Sequence, residues 1–271
     1  MTPMSDILID EPLAGVTRLT LNRPQQLNAF TYAMYSELLE FLESSRHDSK
    51  RRVIILTGSG RAFCAGHDLR SAGEPGWIDD PALGKAYRGK YTLSEINRIP
   101  LLMRQLPQPI ICAVNGAAAG IGYALALASD LCVAGKSAKF VNSIHNAGTG
   151  HELGLSYMLP RAVGTQRAAE LLLTARPVLA EEAERIGLVL RAVPDEELPE
   201  AALELARGVL VNVPIGVWLT KQSLWLNQGV GSLEAAIELE SRAVAIAQST
   251  ADAADKRASF MEKRPPKFTN T

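Results

Sequence analysis

Residues 110–129 read Ile110-Ile111-Cys112-Ala113-Val114-Asn115-Gly116-Ala117-Ala118-Ala119-Gly120-Ile121-Gly122-Tyr123-Ala124-Leu125-Ala126-Leu127-Ala128-Ser129, and how this stretch divides decides the fold. It lies in a charge-free run from 105 to 129, long enough for a bilayer-spanning helix of about 20 residues. Pro107 and Pro109 open that run, Asn115-Gly116 interrupts it, and the alanine- and glycine-rich piece from Gly116 to Gly122 is weakly hydrophobic. A buried strand over Ile110–Val114, a turn, and a buried helix over Ile121–Ser129 explain it without a membrane.

Outward from this unit the same cycle recurs. Val16 to Leu21 alternates as a strand and stops at Asn22-Arg23-Pro24, and Thr31 to Ser44 puts Met34, Leu38, Leu39, Phe41 and Leu42 on one side of a helix. Val53 to Thr57 is apolar on both faces and ends at Gly58-Ser59-Gly60, the pattern of a strand covered on two sides. Leu131 to Ala134 predicts another strand, and Leu153 to Arg161 the start of another helix. Repetition of strand, turn and helix predicts an α/β domain built from a repeated unit whose sheets stack. From Asp195 onward the strand signal fades, and Ala201–Leu210, Pro214–Asn227 and Leu233–Ser249 read as amphipathic helices. The chain therefore divides into a core over 1–195 and a helical region over 196–271, which packs either on a neighbouring subunit or as a lid on its own core.

Composition excludes several classes. With 28 Lys+Arg against 29 Asp+Glu in 271 residues there is no broad basic field, so neither nucleic acid nor an anionic membrane is an expected partner. Cys64, Cys112 and Cys132 are odd in number and widely spaced, which fits a reducing, cytoplasmic setting. The first residues, MTPMSDILIDEP, carry acids where a signal peptide carries a basic segment, so export is not expected. His47, His67, His145 and His151 have no partner at metal-ligand spacing, no G-x-S-x-G elbow is present, and Gly58-Ser59-Gly60 is not a dinucleotide fingerprint. Neither a metal nor a nucleotide cofactor is expected.

Two glycine-containing turns each follow a buried strand and lead toward a helix: Arg61-Ala62-Phe63-Cys64-Ala65-Gly66-His67-Asp68-Leu69 and Asn115-Gly116-Ala117-Ala118-Ala119-Gly120-Ile121-Gly122. Glycine lets backbone approach a ligand closely, and unpaired N–H groups at a helix start attract negative charge. Side by side, two such turns offer two donors to one oxygen. Tight packing of strand on helix explains the same glycines.

These two segments, Arg61 to Leu69 and Ala113 to Asp130, together resemble the crotonase superfamily, the enoyl-CoA hydratase/isomerase family. Support extends through Leu21-Asn22-Arg23-Pro24, Leu27-Asn28-Ala29, Arg161-Ala162-Val163-Gly164, Ala180-Glu181-Glu182-Ala183, Gly187-Leu188-Val189 and Phe260-Met261-Glu262-Lys263-Arg264. The resemblance implies an α/β spiral of strand-strand-helix repeats with a C-terminal helical trimerisation region, a homotrimer or dimer of trimers. It also implies acyl-CoA thioester substrates, with no cofactor beyond the coenzyme A that the substrate carries. The two backbone donors that hold the thioester oxygen in such enzymes fall on His67 and Ile121, the latter beside Gly120. Ala29, Ala65, Gly66, His67, Asp68 and Leu69 would line the CoA entrance. Phe260 and Lys263 would reach CoA from a neighbouring subunit, unless Lys263 is simply a solvated charge.

The resemblance also exposes a departure. Hydratases of this family use two glutamates, whose positions here fall on Ala124 and Ile144, and neither side chain can transfer a proton. Counting back without gaps from Arg161, Glu152 falls where dienoyl-CoA isomerases and 4-chlorobenzoyl-CoA dehalogenases carry an acidic residue. Read locally, Thr149-Gly150-His151-Glu152 is equally a capping box. His151 and His145 are further candidates for proton exchange near neutral pH. Isomerisation of an enoyl- or dienoyl-CoA with Glu152 as base is the leading expectation. The alternatives are hydration or hydrolysis using Glu152 with a histidine, and a non-catalytic acyl-CoA-binding protein. The acyl pocket is left to residues 71–99, where Trp77, Tyr87 and Tyr91 face either substrate or solvent.

Overall fold

The structure is a computed structural model that describes residues 5–143, 148 and 150–271. The chain opens with an antiparallel hairpin, β1 (Ile7–Leu13) and β2 (Val16–Leu21), followed by α1 (Tyr32–Ser45). Helix α1 starts where a cap allows it: Thr31 is extended, and its side chain accepts from the Met34 N–H. Next come β3 (Val53–Gly58), β4 (Ala62–Cys64), α2 (Lys85–Ile96) and α3 (Arg98–Gln105). The cycle repeats as β5 (Ile110–Val114), β6 (Ala117–Ala119) and α4 (Ile121–Ala128), then as β7 (Leu131–Gly135), β8 (Lys139–Val141), α5 (Leu155–Val163) and α6 (Thr165–Thr174). The core closes with β9 (Val178–Leu179), α7 (Ala180–Arg185) and β10 (Arg191–Val193).

Each turn of the spiral gives one strand to each of two sheets. The larger has the order β1-β2-β3-β5-β7-β10, parallel except at the opening hairpin, and the smaller has the order β4-β6-β8-β9. The charge-free run is thus cut into β5, β6 and α4. Among the described residues no single helix is long and apolar enough to cross a membrane. All five residues of β5 are buried because both its faces are covered. Ile110, Cys112 and Val114 face the main core with α1, α3 and α4, while Ile111 and Ala113 face a second cluster made with α8 (Leu198–Leu210) through Leu198, Ala202 and Ala206. The first helix after residue 195 therefore belongs to the packing of the core.

The remaining helices, α9 (Pro214–Leu226), α10 (Leu233–Gln248) and α11 (Ala251–Glu262), form a bundle of a different kind. Helix α9 is anchored by charge: the buried Lys221 ammonium donates to the carbonyls of Met103 and Gln108, each at 2.8 Å, and pairs with Asp130 at 2.8 Å. The Trp225 indole donates to the other Asp130 oxygen at 2.7 Å. Helix α10 buries none of its residues and leaves Leu233, Ile237 and Val244 exposed.

Candidate active site

The first glycine turn leaves β4 and runs beside Phe30. The Phe30 N–H donates to the Gly66 carbonyl at 2.8 Å, and the Asp68 N–H donates to the Phe30 carbonyl at 2.9 Å. Consecutive amides of an extended chain face opposite ways, so the intervening His67 N–H points away from Phe30. No acceptor among the described residues takes it. Asp68 locks the turn. Its carboxylate accepts from the Arg70 and Ser71 amides at 3.0 and 2.9 Å, from the Ser71 hydroxyl at 2.7 Å and from Arg23 at 3.0 Å. Burial works to raise the Asp68 pKa, but these donors together hold it well below the usual carboxylate range. Asp68 is thus turned inward, whereas Leu69 is exposed at the rim.

The second turn leaves β6, the parallel neighbour of β4. Gly120, with φ +52°, caps α4, and its own N–H goes to the Val141 carbonyl at 3.3 Å. Ile121 is the first helical residue, where an N–H has no intrahelical partner, and no acceptor among the described residues takes this one either. The turns lie against each other: a methyl group on Gly120 would come within 3.5 Å of the Gly66 Cα. Tight packing is equally real, because a methyl on Gly122 would meet the Cys64 carbonyl oxygen at 2.6 Å and its Cβ at 2.8 Å. The two readings of the glycines are not exclusive. Close packing of the strand–helix joints is what sets Gly66 against Gly120, the residues that precede His67 and Ile121.

Around them the ring of His67 stands 5.1 Å from Tyr32 and 5.8 Å from Tyr35. Burial lowers the His67 pKa against the opposing charge of Asp68, so the imidazole is neutral at physiological pH. Tyr32, His67, Asp68 and Leu69 line a cavity of about 760 Å³ facing Lys85 and Arg88 of α2. Ala65 is fixed by its N–H to the Leu27 carbonyl at 3.0 Å, and the Ala29 carbonyl accepts from Arg23 at 2.5 Å. The Cys64 thiol lies beneath the turn, and burial pushes its pKa up to about 12, which removes it as a nucleophile.

Glu152 is half-buried, and its carboxylate has no hydrogen-bond or ion-pair partner among the described residues. Burial raises its pKa. Its charge is felt at the buried Tyr35, whose pKa is raised well above the ordinary value first by burial, then by Cys64 and Glu152. Glu152 and the first turn thus share Tyr35 as a neighbour. The capping-box reading is corrected: α5 begins only at Leu155, with Gly154 at φ +76° as its N-cap, so Glu152 precedes the helix rather than occupying its first turn. Thr149, Ile144 and His145 lie outside the described residues. The His151 Nδ1 stands 3.4 Å from the Asn142 side-chain nitrogen. Among the described residues no group of three or more His, Cys, Asp or Glu side chains could hold a metal ion.

The sequence pattern of the enoyl-CoA hydratase/isomerase family matches residues 11–271. The chain belongs to that family, within the crotonase superfamily. It is 40% identical over 269 residues to a probable enoyl-CoA hydratase of Mycobacterium bovis, covering 98% of this chain and 94% of the relative. It is 36% identical over 268 residues to the 1,2-epoxyphenylacetyl-CoA isomerase of Escherichia coli K12, covering 98% and 99%. The crystal structure of an enoyl-CoA hydratase from Bacillus anthracis superposes with a TM-score of 0.90 at 33% identity, covering 98% of this chain and all of the other. This member of the family is therefore an acyl-CoA enzyme of the hydratase/isomerase type, with the crotonase arrangement of repeated strand-helix units and a C-terminal helical bundle.

Within the family frame, Ala124 is buried in the middle of α4. Phe260 and Lys263, at the end of α11, are exposed. The contacts of that helix and the tail beyond it run elsewhere, from Lys256 to the Val211 carbonyl and from Asn270 to the Ser49 carbonyl. A single chain does not bring them to either turn. Two positioning residues carried no chemical signal in the sequence. Asn28 donates to the carbonyls of Ser59 and Ala62 at 2.9 and 2.7 Å, and Asn115 donates to the Gly60 carbonyl at 2.9 Å and accepts from the Gly58 N–H.

Proposed function

We propose that this enzyme moves the double bond of an enoyl- or dienoyl-CoA, with Glu152 as the base. The His67 and Ile121 amides receive the thioester oxygen. The carboxylate removes a proton from the carbon chain, negative charge collects on the oxygen between the amides, and the same carboxyl group returns the proton at the other end of the allylic system. One base suffices for this reaction because nothing is added or lost. The observation that carries the reading is Glu152 itself: a half-buried carboxylate without a partner among the described residues, its charge felt at Tyr35, which packs on the His67 ring, in a chain with alanine where the resemblance puts a hydratase glutamate. The similarity to an isomerase from E. coli supports it.

The test is the absorbance change of a 3-enoyl- or dienoyl-CoA. Glu152→Gln is expected to lower turnover by about 10²–10⁴-fold, the range of general acid–base catalysis. Unchanged turnover in that variant would remove Glu152 from the mechanism. Because burial raises the Glu152 pKa and the base must be ionised, the acid limb of kcat/KM should fall above the ordinary carboxylate range, and rate should rise with pH through it. A second reading, hydration using Glu152 with His151, is favoured by the similarity to a probable hydratase. Incorporation of labelled solvent oxygen into product would select it. The uncovered apolar residues of α10 support a homotrimer or dimer of trimers, and a monomeric mass by light scattering would refute that assembly.

A further inference from the structure

Glu152 opens a tight turn of an uncommon kind. Its carbonyl accepts from the Leu155 N–H at 3.2 Å, and both central residues, Leu153 at φ +57° and Gly154 at φ +76°, are left-handed. Two positive φ angles in succession mark a primed turn, which glycine, asparagine and aspartate favour and leucine does not. Something outside the turn must therefore hold Leu153 there. Two contacts do. Its side chain is buried in the main core, and its N–H donates to the Asn97 side-chain oxygen at 3.2 Å, with no other acceptor among the described residues. Asn97 is itself firmly placed. It ends α2, its N–H donates to the Leu93 carbonyl at 2.9 Å, and the buried Ile96 and Ile99 flank it along the chain. Pro100 has no N–H for the Ile96 carbonyl, so the helix breaks here and α3 starts afresh at Arg98. The same α2 gives Lys85 and Arg88 to the cleft.

We propose that Asn97 is a positioning residue for the base: by holding the Leu153 amide it fixes the backbone that carries the Glu152 carboxylate. This rests on the reading of Glu152 as the base. The peptide group between Glu152 and Leu153 is planar, so a hydrogen bond to its N–H orients the Glu152 Cα and carbonyl with it. The carboxylate has no partner of its own among the described residues, and its aim at the substrate therefore depends on that backbone. Without the Asn97 oxygen, Leu153 keeps an unfavourable φ by its buried side chain alone. Misplacing a reacting group by about 1 Å costs up to about 10²-fold in rate.

The experiment is steady-state turnover of a 3-enoyl-CoA by the full chain. Asn97→Ala should lower kcat by about 10- to 100-fold and leave KM within about threefold, because the aim of the carboxylate matters to proton transfer and not to binding. Asn97→Asp keeps an acceptor oxygen for the Leu153 N–H and should recover most of the loss. In a Glu152→Gln background Asn97→Ala should change kcat by less than about threefold, since a group that acts only through the base then has nothing left to position. Wild-type kcat in Asn97→Ala, no recovery in Asn97→Asp, or the same fold loss with and without the Glu152 carboxylate overturns the inference while leaving the base reading intact. Unchanged turnover in Glu152→Gln alone is a different result, which removes the base and this inference with it.

Discussion

The two turns that carry His67 and Ile121, and that meet at Gly66 and Gly120, are held by different physics. The first is fastened by polar contacts: a buried carboxylate, Asp68, gathers two amides, a hydroxyl and the Arg23 guanidinium. The second is fastened mainly by the absence of side chains, since neither Gly116 nor Gly122 has room for a Cβ against the backbone of 61–64. A loop that leaves a strand without entering a helix has free amides and needs an acceptor to order them. A strand that passes directly into a helix is ordered by the helix itself, so only the closeness of approach must be protected. The first turn can consequently be loosened by protonation and the second only by substitution.

The largest expected effect comes from the second turn. Gly122→Ala sets a methyl group against a carbonyl that cannot move without moving β4, and should lose about 1–3 kcal/mol of stability through overpacking. If the Ile121 amide is an oxyanion donor, kcat should also fall by about 10²–10³-fold. Urea unfolding and turnover of the same preparation check both, and wild-type turnover would break the comparison.

A smaller effect is expected in the first turn. Asp68→Asn keeps the shape but replaces charged acceptors by neutral ones and leaves Arg23 only the longer pair with Asp6 at 3.7 Å and the Ala29 carbonyl, for a loss of about 2 kcal/mol. Its pH signature has a definite sign. A folded-state pKa below the unfolded value means that this stability is present above pH ~4 and lost as pH falls toward the folded value. Glu152 runs the other way. Its raised pKa withdraws stability as pH climbs from the ordinary carboxylate value of about 4.3 through the folded one, so Glu152→Gln should be more stable than wild type above that window. Denaturant midpoints from acid to neutral pH separate the two carboxylates, and parallel curves for both variants would contradict the assignment.

The smallest change sharpens the contrast between main chain and side chain. His67→Ala keeps the N–H, so kcat should remain within about tenfold of wild type. A loss as large as that in Gly122→Ala would mean that the ring, and not the amide, carries the chemistry.

Much of this architecture was legible in the sequence because it is written in periodicity. Thr31 to Ser44, Val53 to Thr57 and Ile110 to Val114 form the expected elements to within a residue or two, since apolar spacing reports which faces are covered. Polar helices were not legible: α2, which walls the cleft, and α11 carry mixed faces that periodicity does not mark. Nor were strands as short as β4, β6 and β8, where three residues are too few for an alternation. Glu152 was readable as a candidate by counting but not by chemistry, because cap and base share one local pattern. Only the start of α5 at Leu155 separates them.

The sequence by itself determined the alternation of strands and helices and the two glycine turns, because residue type and spacing act locally. Tertiary structure alone decided that the two turns abut, that the Asp68 carboxylate faces inward, and that Glu152, without a partner among the described residues, lies where its charge is felt at Tyr35. Those facts depend on β4 and β6 lying in neighbouring register across a stretch of chain that spans α2, α3 and β5. No local pattern encodes that register. It follows from how two sheets and their helices exclude water together.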